Sequence, residues 1–469
     1  MSVENTRFGA AAIAEALKSC KSVYFIGIGG INMSSLAHIT RKRGFEVGGS
    51  DRTPSELTAR LEAEGIKVNY THDENNARDY DAFVYTVAIS EDNPEYVYAK
   101  RAGKPCISRA DYLGYVMTGY GTRIGISGMH GKSTCTSMCA EVLIACNSSP
   151  TVLSGAELPA MDGAYCLGES ENFVFEACEY MDSFLHFNPT VAVILNIEMD
   201  HVDYFKSMEQ IKCSFGSFAD ITGEDGYAVY NADDENVIEA LTGYVGNRIS
   251  FGIENEAAQM RAVNITSDNG RYGFDAVFNG EHFCHIDLRV SGRHNIYNAL
   301  ASATACMLAG ISPEDIARGL GGFCGACRRM EYKGDVNGGA VYDDYGHHPT
   351  EISATLRGAK AMAEGRLICV YQPHTYSRTA ALLDGFVKAF DVCDKVIFVD
   401  IYAAREKNVY GISSRTLADR IGERATYAES FEAAARAVTE EISAGDVAIV
   451  MGAGDVWKVF DHLEYDKEV

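Results

Sequence analysis

The stretch Arg123-Ile-Gly-Ile-Ser-Gly-Met-His-Gly-Lys-Ser-Thr134 constrains this chain more than any other. It reads as an apolar strand entering a glycine loop that ends in Lys-Ser-Thr at a helix start. Gly125, Gly128 and Gly131 let the backbone turn tightly and aim N–H groups at phosphate oxygens, and the helix start behind them favours negative charge. Lys132 is placed to neutralise terminal phosphates, and the Ser133 hydroxyl to sit on Mg2+. The common G-x-x-x-x-G-K-[ST] loop would need glycine at 126, where this chain has Ile126; the pattern here is G-x-x-G-x-x-G-K-S-T. A second apolar strand, Val191-Ala-Val-Ile-Leu-Asn-Ile-Glu-Met-Asp-His201, delivers acids and a histidine at its carboxyl end. Together the two read as a phosphate cradle beside a metal site, in an enzyme that spends ATP.

At 469 residues the chain is too long for one core and suits two to four domains. The net charge of −24 argues against a nucleic-acid surface. A nucleotide site must therefore gather its basic residues locally, and Arg328-Arg329 and Arg378 are the candidates. No apolar run approaches a membrane span, and residues Met1 to Ala12 do not resemble a signal peptide. The fourteen cysteines are scattered, and the lone Cys324-x-x-Cys327 lacks a second pair for zinc. Scattered thiols without an export signal point to the cytoplasm.

Strand–helix alternation runs the whole length and predicts an α/β chain with mostly parallel sheets. In the first segment a helix from about Thr6 to Ser19 precedes the strand Ser22 to Ile26, the turn Gly27-Ile-Gly-Gly-Ile-Asn32, a helix through Arg43 and a strand Glu46 to Gly49. Asp51 lies 24 positions after Gly27, the layout of a dinucleotide fingerprint, with Asn32 at its sixth position. NAD and other pyrophosphate ligands would use the same turn. The second segment carries the cradle, strands Asn172 to Ala177 and Val191 to Asn196, and the helix start Ser291-Gly-Arg-His-Asn-Ile-Tyr-Asn-Ala-Leu-Ala301. The third has strands Ala340 to Tyr342, Leu367 to Tyr371, Lys395 to Val399 and Asp446 to Met451. Strand carboxyl ends carry sites in parallel sheets, and there the chain places Asp343-Asp344, His347-His348 and Gln372-Pro-His374. Of the two asparagines at the helix start, Asn295 and Asn298, side-chain amides suit an adenine edge, but capping is the commoner use.

With these motifs assembled, the chain resembles the Mur ligase family of cell-wall precursor enzymes. The resemblance runs in order through Gly27-Ile-Gly-Gly-Ile-Asn-Met-Ser34, Gly128-Met-His-Gly-Lys-Ser-Thr134, Glu176-Ala-Cys-Glu179, Asn196-Ile-Glu-Met-Asp-His201, Gly292-Arg-His-Asn-Ile-Tyr-Asn298, Arg328-Arg329, Asp343-Asp-Tyr-Gly-His-His-Pro349 and Tyr371-Gln-Pro-His-Thr-Tyr-Ser-Arg378. It implies a Rossmann-like UDP-sugar domain (1–120), a central P-loop-type ATPase domain (121–326) and a Rossmann-like C-terminal amino-acid domain (327–469). The first glycine turn, the His-His-Pro loop and the Gln-Pro-His-x-x-x-Arg segment resemble the members that join L-alanine to UDP-N-acetylmuramate with ATP and Mg2+ through an acyl phosphate. Tripeptide-recycling ligases share nearly all of these motifs. An NAD-dependent oxidoreductase would leave Lys132 idle, and a non-catalytic relative would be expected to lose a phosphate or metal residue.

The resemblance also implies roles. Gly128, Met129, His130, Gly131, Lys132, Ser133, Thr134, His294, Asn295, Asn298 and Arg329 would hold ATP. Ser133, Glu176 and His201 would hold metal. Gly27, Gly29, Gly30, Asn32, Ser50, Asp51, His72 and Asn75 would contact the UDP-sugar. Lys132 would serve phosphoryl transfer, Arg378 would fork the alanine carboxylate, and Asp344 would stand beside it. His348 would take the ammonium proton. Two positions depart from the family: Cys178 where Asp is frequent and Tyr180 where Ser is frequent. Mur ligases that add later residues carry a carbamylated lysine some fourteen or fifteen positions after the metal-strand histidine; here those positions are Phe215 and Gly216, and Lys212 falls short.

Overall fold

The computed structural model describes residues 3–161, 163–201, 204–268, 270–404 and 406–466. Three sheets follow one another along the chain. The first is five-stranded and parallel, in the order Lys67–Asn69, Glu46–Ser50, Ser22–Ile26, Ala82–Tyr85, Cys106–Ser108. Every residue of Ser22–Ile26 is buried, as a central strand covered on both faces requires. The chain fills one side of this strand and then the other, so the Gly27 turn stands at the topological switch point, where open α/β sheets bind ligands.

The second sheet has ten strands. Its parallel core runs Asn247–Gly252, Tyr227–Asn231, Val191–Ile194, Thr122–Ser127, Asn172–Glu176, Thr151–Leu158. The cradle strand Thr122–Ser127 lies between Val191–Ile194 and Asn172–Glu176, with Ser127 beside Ile194 and Ile126 beside Glu176. The loops after three adjacent strands therefore open on one spot. Pairing is mostly parallel, as expected, and turns antiparallel at both ends of this sheet: Thr151–Leu158 pairs antiparallel with Gly163–Cys166 at one, and a meander closes the other. Met260–Asp268, Arg271–Phe278 and Glu281–Ser291 form an antiparallel meander. In Glu281–Ser291 the buried residues Cys284, Ile286 and Leu288 alternate with exposed polar ones, the signature of a strand covered on one face, here by the helix Pro313–Gly322.

The third sheet is ordered Glu331–Val336, Gly339–Asp344, Val447–Met451, Leu367–Tyr371, Lys395–Phe398, Ala425–Tyr427, parallel except for its first pair. Of its strand-end residues, Asp344 lines a cavity together with residues of the second sheet unit, whereas Gln372 binds Asp455 and the Val456 N–H within the third. All fourteen cysteines are free. Among the described residues no helix is long and apolar enough to cross a membrane.

Candidate active site

The cradle forms as the glycine pattern requires. Gly131 stands before the helix Lys132–Ala145 at φ +82° with no side chain capping the helix, leaving its first N–H groups to a ligand. Gly128 has φ +140°, and a Cβ there would lie 2.9 Å from Leu195 Cβ. The residues after Leu195 brace the loop: the His130 N–H donates to Asn196 Oδ1 (2.8 Å), and Asn196 Nδ2 donates to the His130 carbonyl (3.0 Å).

Lys132 folds back over this loop. Its ammonium donates to the Gly128 carbonyl at 2.5 Å and pairs with Glu179 at 3.1 Å. His201 Nε2 reaches the other oxygen of the same carboxylate, also at 3.1 Å. Burial opposes ionisation of Glu179, but Lys132 and His201 outweigh it and hold the carboxyl below its ordinary range. The structure thus joins Lys132 and His201 through Glu179 rather than through Glu176. Glu176 instead accepts from the Gly155 N–H at 2.5 Å. Glu179 was visible in the Glu-Ala-Cys-Glu motif, yet nothing in the spacing told the two acids apart. Tyr180, one of the departures from the family pattern, lays its ring 4.8 Å from that of His201, whereas Cys178 is exposed.

A cavity of about 220 Å3 opens beside the cradle, lined by Gly131, Thr134, His294, Asn298, Arg329 and Asp344 among others. Asn298 Nδ2 donates to Asn295 Oδ1 (3.0 Å), and Asn295 Nδ2 to the Ser291 carbonyl (2.7 Å), so neither asparagine caps the N-terminus of the helix His294–Leu308. Arg329 enters from the third unit, and its Nη2 donates to Ser133 Oγ at 3.3 Å. Asp344 is spent on backbone: its two oxygens accept from the N–H groups of Met330 (2.9 Å) and Gly346 (2.8 Å). Asp344 lines this cavity and Arg378 a different one, which corrects their expected pairing.

Arg378 lies on the helix Tyr376–Ala381, nearly buried, with Nε 3.1 Å from Asp200 Oδ1. It lines a cavity of about 620 Å3 together with His201, His374, Ser377 and Tyr402. His348 is the N-cap of the helix Pro349–Met362, where proline at the first position and Glu351 at the third complete a capping box. Burial depresses the His348 pKa, so the imidazole is neutral near pH 7 and able to accept a proton. Its neighbour across the seam is His130, whose ring lies 4.8 Å away. Burial would lower the His130 pKa, but Glu198 (3.3 Å) and Glu351 (3.3 Å) offset that and raise it to about 9. Glu198, Asp200 and Glu351 carried no assignment from the sequence, although the first two lie inside the metal-strand motif.

In the first sheet unit the Gly29 N–H donates to Asp51 Oδ2 (2.9 Å), closing the glycine turn on the acid that a dinucleotide reading would give to ribose. Gly27 has φ +86°, Gly30 precedes the helix Ile31–Lys42, and Asn32 is exposed at its start. Ser50 Oγ and His72 Nδ1 both meet Glu95 Oε2, at 2.5 and 2.9 Å, around a carboxylate that is fully buried. Glu95 had no signal beyond its helix position. Asn75 is not drawn into this group; its side chain bonds Asp73 on an exposed helix start.

Most of the chain has counterparts among known proteins. Residues 22–120 match the Mur ligase family catalytic domain, 126–306 the Mur ligase middle domain and 328–454 the Mur ligase glutamate ligase domain. UDP-N-acetylmuramate–L-alanine ligase of Caldicellulosiruptor saccharolyticus is 46% identical over 442 residues, 93% of this chain and 97% of the relative. The enzyme of the same name from Acetivibrio thermocellus is 46% identical over 453 residues, 96% of this chain and 97% of its own. The crystal structure of UDP-N-acetylmuramate-alanine ligase from Thermotoga maritima superposes with a TM-score of 0.77 at 27% identity, covering 94% of this chain and 97% of that one. Because these domain models span residues 22 to 454 between them and relatives at 46% identity cover more than nine-tenths of it, the chain belongs to the Mur ligase family.

Proposed function

We propose that this protein is an ATP-dependent ligase that joins L-alanine to the lactyl carboxylate of UDP-N-acetylmuramate, with domains at 1–120, 121–326 and 327–469. One observation carries the reading. The loop Asn196 to His201 touches both ends of the chemistry: Asn196 and Glu198 hold His130 of the phosphate cradle, while Asp200 holds Arg378 of the third unit. This supports a reading in which the phosphate donor and the attacking amine meet on either side of one short loop.

Amide formation from a carboxylate needs a better leaving group than oxide. A lactyl carboxylate oxygen attacks the γ-phosphorus of ATP and ADP departs, leaving an acyl phosphate. The alanine amine then attacks the acyl carbon, phosphate leaves, and the ammonium proton passes to a base. Positioning and charge neutralisation dominate phosphoryl transfer. Lys132 and the uncapped helix start supply them at the phosphates, with Arg329 added from the third unit. Neutral His348 is the proton acceptor, and Arg378 binds the amino-acid carboxylate. The Gly27 turn, Asp51, Ser50 and His72 hold the UDP-sugar.

Mg2+ prefers oxygen donors. The carboxylates Glu176 and Glu179 and the Ser133 hydroxyl meet that preference, and His201 completes the set. Bound there, the ion would neutralise charge developing on the phosphates. Phosphate release from ATP tests the reading. It should require UDP-N-acetylmuramate and free L-alanine together; dependence on a murein tripeptide in place of alanine would redirect the assignment to a recycling ligase.

A further inference from the structure

Where the second and third units meet, three side chains from three different elements converge. His130 comes from the cradle loop, Glu198 from the loop after Val191–Ile194, and His348 from the start of the helix Pro349–Met362. One ligand atom from each lies within 4.8 Å of the other two. His130 Nε2 is 3.3 Å, and His348 Nδ1 4.0 Å, from the same Glu198 oxygen.

We propose that His130, Glu198 and His348 form a binding site for a zinc-class transition-metal ion, which clasps the C-terminal unit to the central one. Two imidazoles and one carboxylate are a donor set of open zinc centres, with a fourth position left to solvent. The same set suits Mg2+ poorly, because that ion prefers oxygen. At zinc bond lengths of about 2.0–2.2 Å, tetrahedral ligand atoms stand roughly 3.3–3.5 Å apart. One separation already has that value, and side-chain rotation closes the others.

The surroundings fit a metal centre. Glu351 Oε1 lies 3.3 Å from His130 Nδ1, which fixes the ring with Nε2 towards Glu198. Thr350 Oγ1 donates to Glu198 Oε2 at 2.7 Å and orients that carboxylate. His348 is 5% exposed, its Nε2 has no hydrogen-bond partner, and its Nδ1 accepts only a long 3.4 Å bond from the Thr350 N–H. A buried imidazole so weakly engaged is available to an ion. Glu198 also borders two cavities, of about 220 and 670 Å3, so an ion and its water can reach the site. Zinc held here would immobilise His348 and stop turnover; that consequence rests on the ligase reading, whereas binding itself does not.

The test is a zinc chloride titration of the full-length, metal-free chain against a chromophoric chelator. One ion per chain is expected, with affinity reduced at least about tenfold in Glu198→Gln and in His348→Ala and retained in His201→Ala. Zinc-edge anomalous scattering from wild-type crystals should place the ion among the three side chains, which decides the matter even if a variant fails to fold. No saturable binding, binding unchanged in both variants, or an anomalous peak at His201 instead would overturn the proposal. Arrest of phosphate release by zinc is read separately: binding without arrest would count against the proton-acceptor role of His348 and leave the site standing.

Discussion

The Arg378 guanidinium grips the Asp200 carboxylate across the seam between the second and third sheet units, Nε to Oδ1 at 3.1 Å and Nη2 to Oδ2 at 3.5 Å. Both side chains are at least nine-tenths buried, at 10% and 7% exposure. Asp200 is next to His201, which touches Glu179, which touches Lys132. A chain of polar contacts therefore runs from the proposed amino-acid pocket to the phosphate cradle. The fork that would hold an alanine carboxylate holds a protein carboxylate here.

Arg378→Ala should raise the Michaelis constant for L-alanine roughly tenfold to hundredfold, since a charge-assisted hydrogen bond contributes about 1.5–3 kcal/mol. The constant for ATP should move far less, because the cradle lies on the other unit. Steady-state kinetics with each substrate varied in turn checks this. Equal losses for all substrates would make Arg378 a structural clamp on Asp200.

Lys132→Ala should reduce turnover by at least about 100- to 1000-fold, the scale of losing one preorganised charge contact, about 2.7–4 kcal/mol. It also strips Glu179 of its ammonium partner. Binding of UDP-N-acetylmuramate, measured by calorimetry without ATP, should stay within about twofold of wild type, because the Gly27 and Gly131 loops follow strands of different sheets. Turnover at the wild-type rate would remove the cradle assignment.

Asp343 should make the third unit less stable as pH rises. Burial, helped by the charges of Asp344 and Glu331 and opposed by Arg328, raises its pKa to about 6. The unfolded value is about 3.9. Between those values the folded state keeps a proton that the unfolded chain has released. The contribution is therefore full below about pH 4 and is lost as pH rises through about 6. At about 1.4 kcal/mol per pKa unit the limit is about 3 kcal/mol. In urea unfolding, wild type should lose about 1–3 kcal/mol relative to Asp343→Asn between pH 4 and pH 7. A difference independent of pH would mean that Asp343 ionises normally.

Activity should not depend on bicarbonate. Lys212 sits on the helix Met208–Asp220 with its ammonium 2.6 Å from Glu239 Oε2, committed to the neighbouring helix. Of the positions where a carbamylated lysine would fall, Phe215 is fully buried, and a Cβ at Gly216 would stand 2.7 Å from the Ala240 carbonyl oxygen. Assays in carbon-dioxide-free buffer should match those with added bicarbonate. A bicarbonate-dependent gain that vanishes in Lys212→Ala would show a carbamate after all.

Local pattern was enough for the cradle, the metal-strand motif and every parallel strand named from the sequence, because each is written in neighbouring residues: an apolar run, then glycines, then a helix start. The family followed from the same motifs, since their order along the chain is itself sequence. What the tertiary structure decided is which charged group faces which. Glu176 and Glu179 look alike in sequence. Glu179 reaches Lys132 and His201 in a turn where Met181 and Asp182 take left-handed conformations at φ +54°, while Glu176 stays at its strand end bound to the Gly155 N–H. Asp344, expected beside Arg378, is consumed by two backbone N–H groups, while Glu95, Glu198 and Glu351 gained partners from elements far away in the chain. Periodicity and propensity report burial and local backbone shape. Pairing of buried charges depends on distances between units that only the packed chain sets.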